Sequence, residues 1–386
     1  MWKTGTYEYH TSLTLTRSGG TSSRPAYATR ICNVPTYLNK VFVGKSDGAV
    51  DIWNLKTGKL IHSILPAFPN AGPVTVLRPS PVLSVIAIAY KSGSMAIQNV
   101  ETCQIIFSFQ PQVSHPRAIT CIAFRSDGAG AGEDGRQAGA MATSCVGSGD
   151  ITLWDLNRGG RVTGVLRDAH KAPGDSAGSG INHMEFLDGQ PVIVSTGKDN
   201  SLRTWIIDES PFSPIPRPLH LRRGHSGAIT TISFLPPPSD GSESTAKWLL
   251  SASKDSSLWG FSLRKDSQSA EISQGSVDQK ARKRARSLSN LMNIRAPEVT
   301  CIACSLNRDG GMGVTVSGPV WSNPTATDTT SSNRTGWESI ITGHRGDKYA
   351  RTWFWGKKKA GRWVFETGDG TDVKVRQFNH TTQAPF

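Results

Sequence analysis

The sequence predicts an all-β propeller of repeated four-stranded sheets, on three observations. One block of short strands recurs along its 386 residues, the strands alternate with period two, and glycine is frequent enough, at 39 residues, for many tight turns. Each block runs through an apolar strand ending in Phe, an insertion, a strand rich in Ser, Thr and Gly, a Gly/Asp turn, and a strand ending in Trp. A sheet this short cannot bury both faces alone, so neighbouring sheets must stack around an axis.

The first-strand column reads Ile119-Thr-Cys-Ile-Ala-Phe124, Ile181-Asn-His-Met-Glu-Phe186, Ile229-Thr-Thr-Ile-Ser-Phe234 and Val299-Thr-Cys-Ile-Ala-Cys304. The second is Val41-Phe-Val-Gly44, Thr143-Ser-Cys-Val-Gly147, Ile193-Val-Ser-Thr-Gly197, Leu250-Ser-Ala-Ser253 and Ile340-Ile-Thr-Gly343. The third is Val50-Asp-Ile-Trp53, Met95-Ala-Ile-Gln98, Ile151-Thr-Leu-Trp154, Leu202-Arg-Thr-Trp205, Leu258-Trp-Gly-Phe261 and Ala350-Arg-Thr-Trp353. Turns between second and third strands are supplied by Ser46-Asp47-Gly48, Ser92-Gly93, Ser148-Gly149-Asp150 and Lys198-Asp199-Asn200, residues that tolerate positive φ. Positions 53, 98, 154, 205 and 261 of the third column are 45, 56, 51 and 56 apart, and the excess over the ~40–45 of a WD repeat is inserted loop. Five or six blades are visible, and Trp353 lies 92 residues beyond Phe261, which leaves room for a divergent blade or a long insertion.

Two further positions carry the WD signature. Ala169-His170 and Gly224-His225 stand before first strands, and Trp154-Asp155 is an intact terminal dipeptide, with Trp53-Asn54 close to it. A His before the blade, a Ser or Thr on the second strand and the Trp of the third can join in a buried hydrogen-bonded network. Trp53, Trp154, Asp155, His170, Ser195, Trp205, His225 and Trp353 are therefore expected to be structural rather than catalytic.

Low-complexity stretches interrupt the repeats at 126–140, 171–180, 236–246 and 322–336, all poor in large apolar residues and expected to be disordered. All but 171–180 lie between first and second strands and so are expected on one face. A basic segment at 264–296 carries Lys280, Arg282, Lys283, Arg284 and Arg286 within seven residues; read as following a third strand, it is expected on that same face. Such density reads as a nuclear localisation signal, as a phosphate-contacting tail, or as a solvated charge run without a dedicated partner. Ser287 and Ser289 follow arginines at the spacing of basophilic-kinase sites, and a phosphate there would weaken an RNA contact.

The charge balance, 43 Lys and Arg against 30 Asp and Glu for a formal +13, favours acidic partners such as nucleic acid. Six cysteines are too few for a disulfide framework at this length. No stretch approaches the ~18 apolar residues of a membrane span, and the N-terminus has no secretory pattern, so a soluble intracellular chain is expected. Cys301-Ile-Ala-Cys304 looks like half a zinc site, but both positions fall in the strand columns of Cys121 and Phe124, and no second ligand pair completes it. Gly128-Ala-Gly130-Ala-Gly132 lacks the Lys-Ser/Thr of a phosphate loop, Asn333 and Asn379 fit glycosylation only in a secreted chain, and no nucleophile elbow occurs. No catalytic residue, metal site, cofactor or small-molecule substrate is expected.

Three runs are distinctive beyond a generic WD repeat: Pro35-Thr-Tyr-Leu-Asn-Lys40 leading into Gly48-Ala-Val-Asp-Ile-Trp-Asn54, Lys198-Asp-Asn-Ser-Leu-Arg-Thr-Trp-Ile206, and Leu250-Ser-Ala-Ser-Lys-Asp255 followed by the basic segment. They resemble the WD-repeat subunits of the UTP-B subcomplex of the small-subunit processome, a family of U3 small nucleolar RNA-associated proteins, over about Arg30 to Trp355. The resemblance implies two tandem propellers and a C-terminal helical domain, with work as a nucleolar scaffold in pre-18S ribosomal RNA processing. It implies other UTP-B and processome proteins, U3 snoRNA and pre-rRNA as partners, and a nuclear, nucleolar location.

The expected division is an atypical segment at 1–29, propeller blades at 30–263, the basic and mostly disordered insertion at 264–296, and further divergent blades at 297–386, where a second propeller could begin. The chain is expected to be a partial copy, covering most of a first propeller in an incomplete or irregular ring. A WD-repeat adaptor or substrate receptor outside ribosome biogenesis is the alternative.

Overall fold

The computed structural model describes residues 13–15, 26–112, 116–127, 139–171, 180–207, 215–235, 247–272, 296–304 and 339–366. The insertions expected at 236–246 and 322–336, most of those at 126–140 and 171–180, and the whole tract from 280 to 286 with Ser287 and Ser289 lie outside these residues.

The described chain forms six four-stranded antiparallel sheets, each a simple meander, and is an all-β propeller of WD type. The first holds β1 (Ala28–Cys32), β2 (Lys40–Lys45), β3 (Val50–Asn54) and β4 (Leu60–Ile64). The second holds β5 (Val74–Pro79), β6 (Val85–Tyr90), β7 (Met95–Asn99) and β8 (Ile105–Phe109), and the third β9 (Ile119–Phe124), β10 (Ala140–Cys145), β11 (Ile151–Asp155) and β12 (Arg161–Leu166). The fourth holds β13 (Ile181–Phe186), β14 (Val192–Gly197), β15 (Leu202–Ile206) and β16 (Arg217–Arg222). The fifth holds β17 (Ile229–Leu235), β18 (Trp248–Ser253), β19 (Leu258–Ser262) and β20 (Ala270–Glu271), and the sixth β21 (Val299–Cys304), β22 (Ile340–His344), β23 (Tyr349–Phe354) and β24 (Lys359–Glu366).

Burial follows position in the meander. Second strands are covered on both faces by neighbouring sheets, so β6 reads Val-Ile-Ala-Ile-Ala-Tyr with every residue buried. Fourth strands are edges: β8, β12 and β16 are largely exposed and show no apolar alternation. Second-to-third turns need a residue in the left-handed region. Gly48 (φ 88°) and Gly93 (φ 81°) supply it in the first two sheets, and Asn200 (φ 59°) and Ser256 (φ 63°) in the fourth and fifth.

The chain divides into two compact units, one built on Met1–Asp199 and Arg203–Leu221 with four sheets, the other on Asn200–Leu202 and Arg222–His380 with two. The division therefore falls after the fourth sheet. The reason is packing: Leu235, Leu250 and Leu258 of the fifth sheet share one core cluster with Val299, Ile302, Ile340 and Trp353 of the sixth.

Two expectations about the basic segment are corrected. Its first residues, 264–272, are not an insertion: a 3-10 turn at Asp266–Gln268 leads into β20, which pairs with β19 and completes the fifth sheet. Ile272, just beyond it, is buried and donates its N–H to the Leu258 carbonyl. The connection that carries Lys280 to Arg286 thus joins a fourth strand to the next first strand. In the fifth and sixth sheets it attaches at the blade end opposite the first-to-second strand connections 236–246 and 305–338. Among the described residues, the 92-residue gap before Trp353 holds no additional sheet beyond the rest of the fifth and the start of the sixth.

Candidate functional site

The polar positions inside the blades form hydrogen-bonded staples, and each blade builds its own variant. The fourth sheet has the complete form. Trp205 Nε1–H donates to Ser195 Oγ (2.8 Å), the Ser195 hydroxyl meets His170 Nε2 (2.7 Å), and His170 Nδ1–H donates to Asp199 Oδ1 (2.8 Å). Asp199 also pairs with Arg203 two residues before the Trp (3.0 Å). His170 and Ser195 are wholly buried and Trp205 nearly so. A buried polar chain is favourable only when every member is paired, which this one achieves.

A space is kept for that imidazole by Gly197, the residue opposite the first residue of the first strand. A Cβ at Gly197 would run into the His170 ring. In the sixth sheet the same column holds His344, opposite Val299. Here the imidazole comes from the strand itself, with Nε2 at 2.9 Å from Thr342 Oγ1 and Nδ1–H donating to the Pro297 carbonyl (2.8 Å). Trp353 Nε1–H donates to Thr342 Oγ1 (2.7 Å), which closes the staple without a histidine ahead of the blade. The repeat pattern does not single out His344, because the network residue has moved from a loop into a strand; the signal in the sequence is the Gly343-His344 pair itself.

The fifth sheet replaces Trp by Phe261 and routes its histidine through serines. His225 Nε2 lies 2.7 Å from Ser251 Oγ, Nδ1 lies 2.8 Å from Ser257 Oγ, and the Ser257 hydroxyl donates to Asp255 Oδ1 (2.6 Å). Burial holds the His225 imidazole below its ordinary pKa, against the pull of Asp255. Burial alone would raise the Asp255 carboxyl, yet the hydroxyl and N–H of Ser257 and the N–H of Ser226 bring it well below the usual range.

The third sheet keeps only Trp154 Nε1–H to Thr143 Oγ1 (2.8 Å), with Asp155 turned outward to accept the N–H groups of Asn157 and Arg158. In the first sheet the Ser/Thr column is Val43, and Trp53 Nε1 finds no hydrogen-bond partner. The column of Gly197 there is Lys45, fully buried and paired with Asp51 at 3.0 Å.

The inner strands of the first unit carry an ion pair and buried thiols. Arg78 of β5 pairs with Glu185 of β13, and that carboxylate raises its already high pKa. Burial pushes the thiols of Cys32 and Cys121 up to about 12 and about 11, so both stay protonated at neutral pH. Cys301 and Cys304 are buried in β21, and Cys304 Sγ lies 3.1 Å from the Phe234 carbonyl. No group of three potential metal ligands occurs among the described residues, and none of their helices is long and apolar enough to cross a membrane.

Staples of this kind define a WD-repeat β-propeller, in which polar side chains hold blades together. More particularly, the chain belongs to the family described as the WDR36/Utp21 first β-propeller, which residues 1–208 match. It is 32% identical over 351 residues, 90% of the chain, to the U3 small nucleolar RNA-associated protein 21 homolog of Schizosaccharomyces pombe. It is 32% identical over 375 residues, 95% of the chain, to U3 small nucleolar RNA-associated protein 21 of Saccharomyces cerevisiae. Human WD repeat-containing protein 36 is 28% identical over 337 residues, 87% of the chain. The chain spans about a third of the length of these relatives, 32%, 33% and 31% respectively.

Proposed function

We propose that the chain is a non-catalytic scaffold segment of the small-subunit processome, acting in nucleolar pre-rRNA processing and 18S rRNA maturation together with U3 snoRNA. The observation that carries this reading is its likeness, over nine-tenths of its length, to relatives named as U3 small nucleolar RNA-associated. The inner residues support a binding role, since histidines, serines and tryptophans that could serve chemistry are committed to blade staples. Other UTP-B and processome proteins are its protein partners, and the nucleus and nucleolus its location. Lys280, Arg282, Lys283, Arg284 and Arg286 contact phosphate of U3 snoRNA or pre-rRNA, on the blade end where their connection attaches.

The test is purification of the tagged endogenous protein with its RNA. U3 snoRNA and UTP-B subunits should be enriched together. Recovery of ubiquitin-ligase subunits without U3 snoRNA would replace this reading with that of an adaptor.

A further inference from the structure

A second basic feature lies in the described part of the molecule, at the other end of the fifth and sixth sheets. The turn between β23 and β24, with the first residue of β24, presents Lys357, Lys358 and Lys359 in succession. Among the described residues none of the three has a carboxylate within ion-pair distance; their contacts are with aromatic rings. Lys357 and Lys359 are exposed, with their amines 5.5 and 6.0 Å from the Phe354 centroid. Lys358, held in the left-handed region (φ 47°), folds its amine over the indoles of Trp355 and Trp248.

Those two indoles meet edge to face with centroids 4.9 Å apart, and both are only partly buried. Trp355 is seated against the fifth sheet at Gly260, where a Cβ would strike its ring. Trp248 opens β18 at the same blade end, where Arg264 and Lys265 are also exposed in the connection from β19 to β20. Burial alone depresses the Lys358 amine to about 7. An amine partly stripped of water, with no carboxylate partner among the described residues, gains more from an incoming phosphate than a fully solvated lysine does.

We propose that the β23–β24 turn, with Trp248 and Trp355, is a binding site for single-stranded RNA, the lysines taking phosphates and the indoles stacking on bases. The proposal rests on the reading that the chain works on RNA, but places a contact apart from the 280–286 tract. Lysines with no carboxylate partner among the described residues, beside two partly buried indoles, are the elements by which sequence-tolerant single-strand binders work. An acidic peptide would satisfy the lysines and leave the indole faces unused.

The experiment measures anisotropy of a fluorescein-labelled 12-nucleotide mixed-sequence RNA with the full chain over a salt series. Variants are Lys357→Glu with Lys359→Glu, Trp355→Leu, and the tract with its five cations changed to Gln. The exposed double lysine variant should leave the melting temperature unchanged and weaken binding at least tenfold. It should also lower the log–log salt slope by about 1.4, two phosphates at ~0.7 each. Trp355→Leu should weaken binding about tenfold while altering the slope little.

RNA affinity and slope unchanged in the double lysine variant would overturn the site, and if the tract variant alone lost binding, the tract reading would stand without it. Binding of a poly-glutamate peptide in preference to RNA would also overturn it. A wild-type chain with no RNA affinity would remove both contacts together.

Discussion

Removing a hydroxyl from one blade and adding one at the same place in another should move stability in opposite directions. In the third sheet Thr143 and Trp154 are 3% and 7% exposed, and the indole N–H is satisfied by Thr143 Oγ1 at 2.8 Å. Thr143→Val keeps the volume and removes the acceptor, orphaning a buried donor at a cost of about 1–3 kcal/mol. In the first sheet Val43, 3% exposed, holds the equivalent position, two residues along β2 from the partner of Trp53, whose N–H is already orphaned. Val43→Thr supplies the missing acceptor and should add about 1 kcal/mol, the usual net worth of a buried hydrogen bond. The two sites lie in non-adjacent sheets of the first unit, so the double variant should equal the sum. Urea unfolding followed by tryptophan fluorescence reads both effects as midpoint shifts at constant slope. If both substitutions shifted the midpoint the same way, or neither by more than about 0.3 kcal/mol, the staple would not be a stabilising element.

Two other outcomes follow from the same geometry. Gly197→Ala should cost about 2–3 kcal/mol, because His170 is fixed by Ser195 and Asp199 and cannot yield to the added Cβ; a urea midpoint within error of wild type would refute this. Acid should destabilise the second unit: burial lowers the His344 pKa from 6.5 to about 4, so the folded state binds fewer protons than the unfolded one. Its contribution is complete above pH 6.5 and is lost as pH falls toward 4, about 1.4 kcal/mol per unit and about 3 kcal/mol in all. His225 is lowered in the same direction, whereas the depressed Asp255 matters only below its ordinary 3.8. A melting temperature unchanged between pH 7 and 4.5 would contradict the assignment.

What the sequence made legible follows from burial. First and third strands face neighbouring blades on alternate residues, so Ile119-Thr-Cys-Ile-Ala-Phe124 and Ile151-Thr-Leu-Trp154 carry period and signature together. The second sheet lacks the Trp, Gln98 standing in its column with its amide donating to the Cys103 carbonyl, and was found only by its spacing. Fourth strands lie at the exposed edge and carry no pattern, and β20 has only two residues. Overlooking it misassigned the face of the basic connection, because each strand added to a meander reverses the end from which the chain leaves. The lysine and tryptophan cluster was illegible for another reason: Trp248 and Trp355 are 107 positions apart and meet only when the fifth and sixth sheets stack.

The central claim, a working part in the small-subunit processome, is met most directly by depleting the protein and quantifying 18S rRNA and its precursors by northern blot. Mature 18S rRNA should fall and its precursors accumulate. Unchanged 18S levels with no precursor accumulation would contradict it.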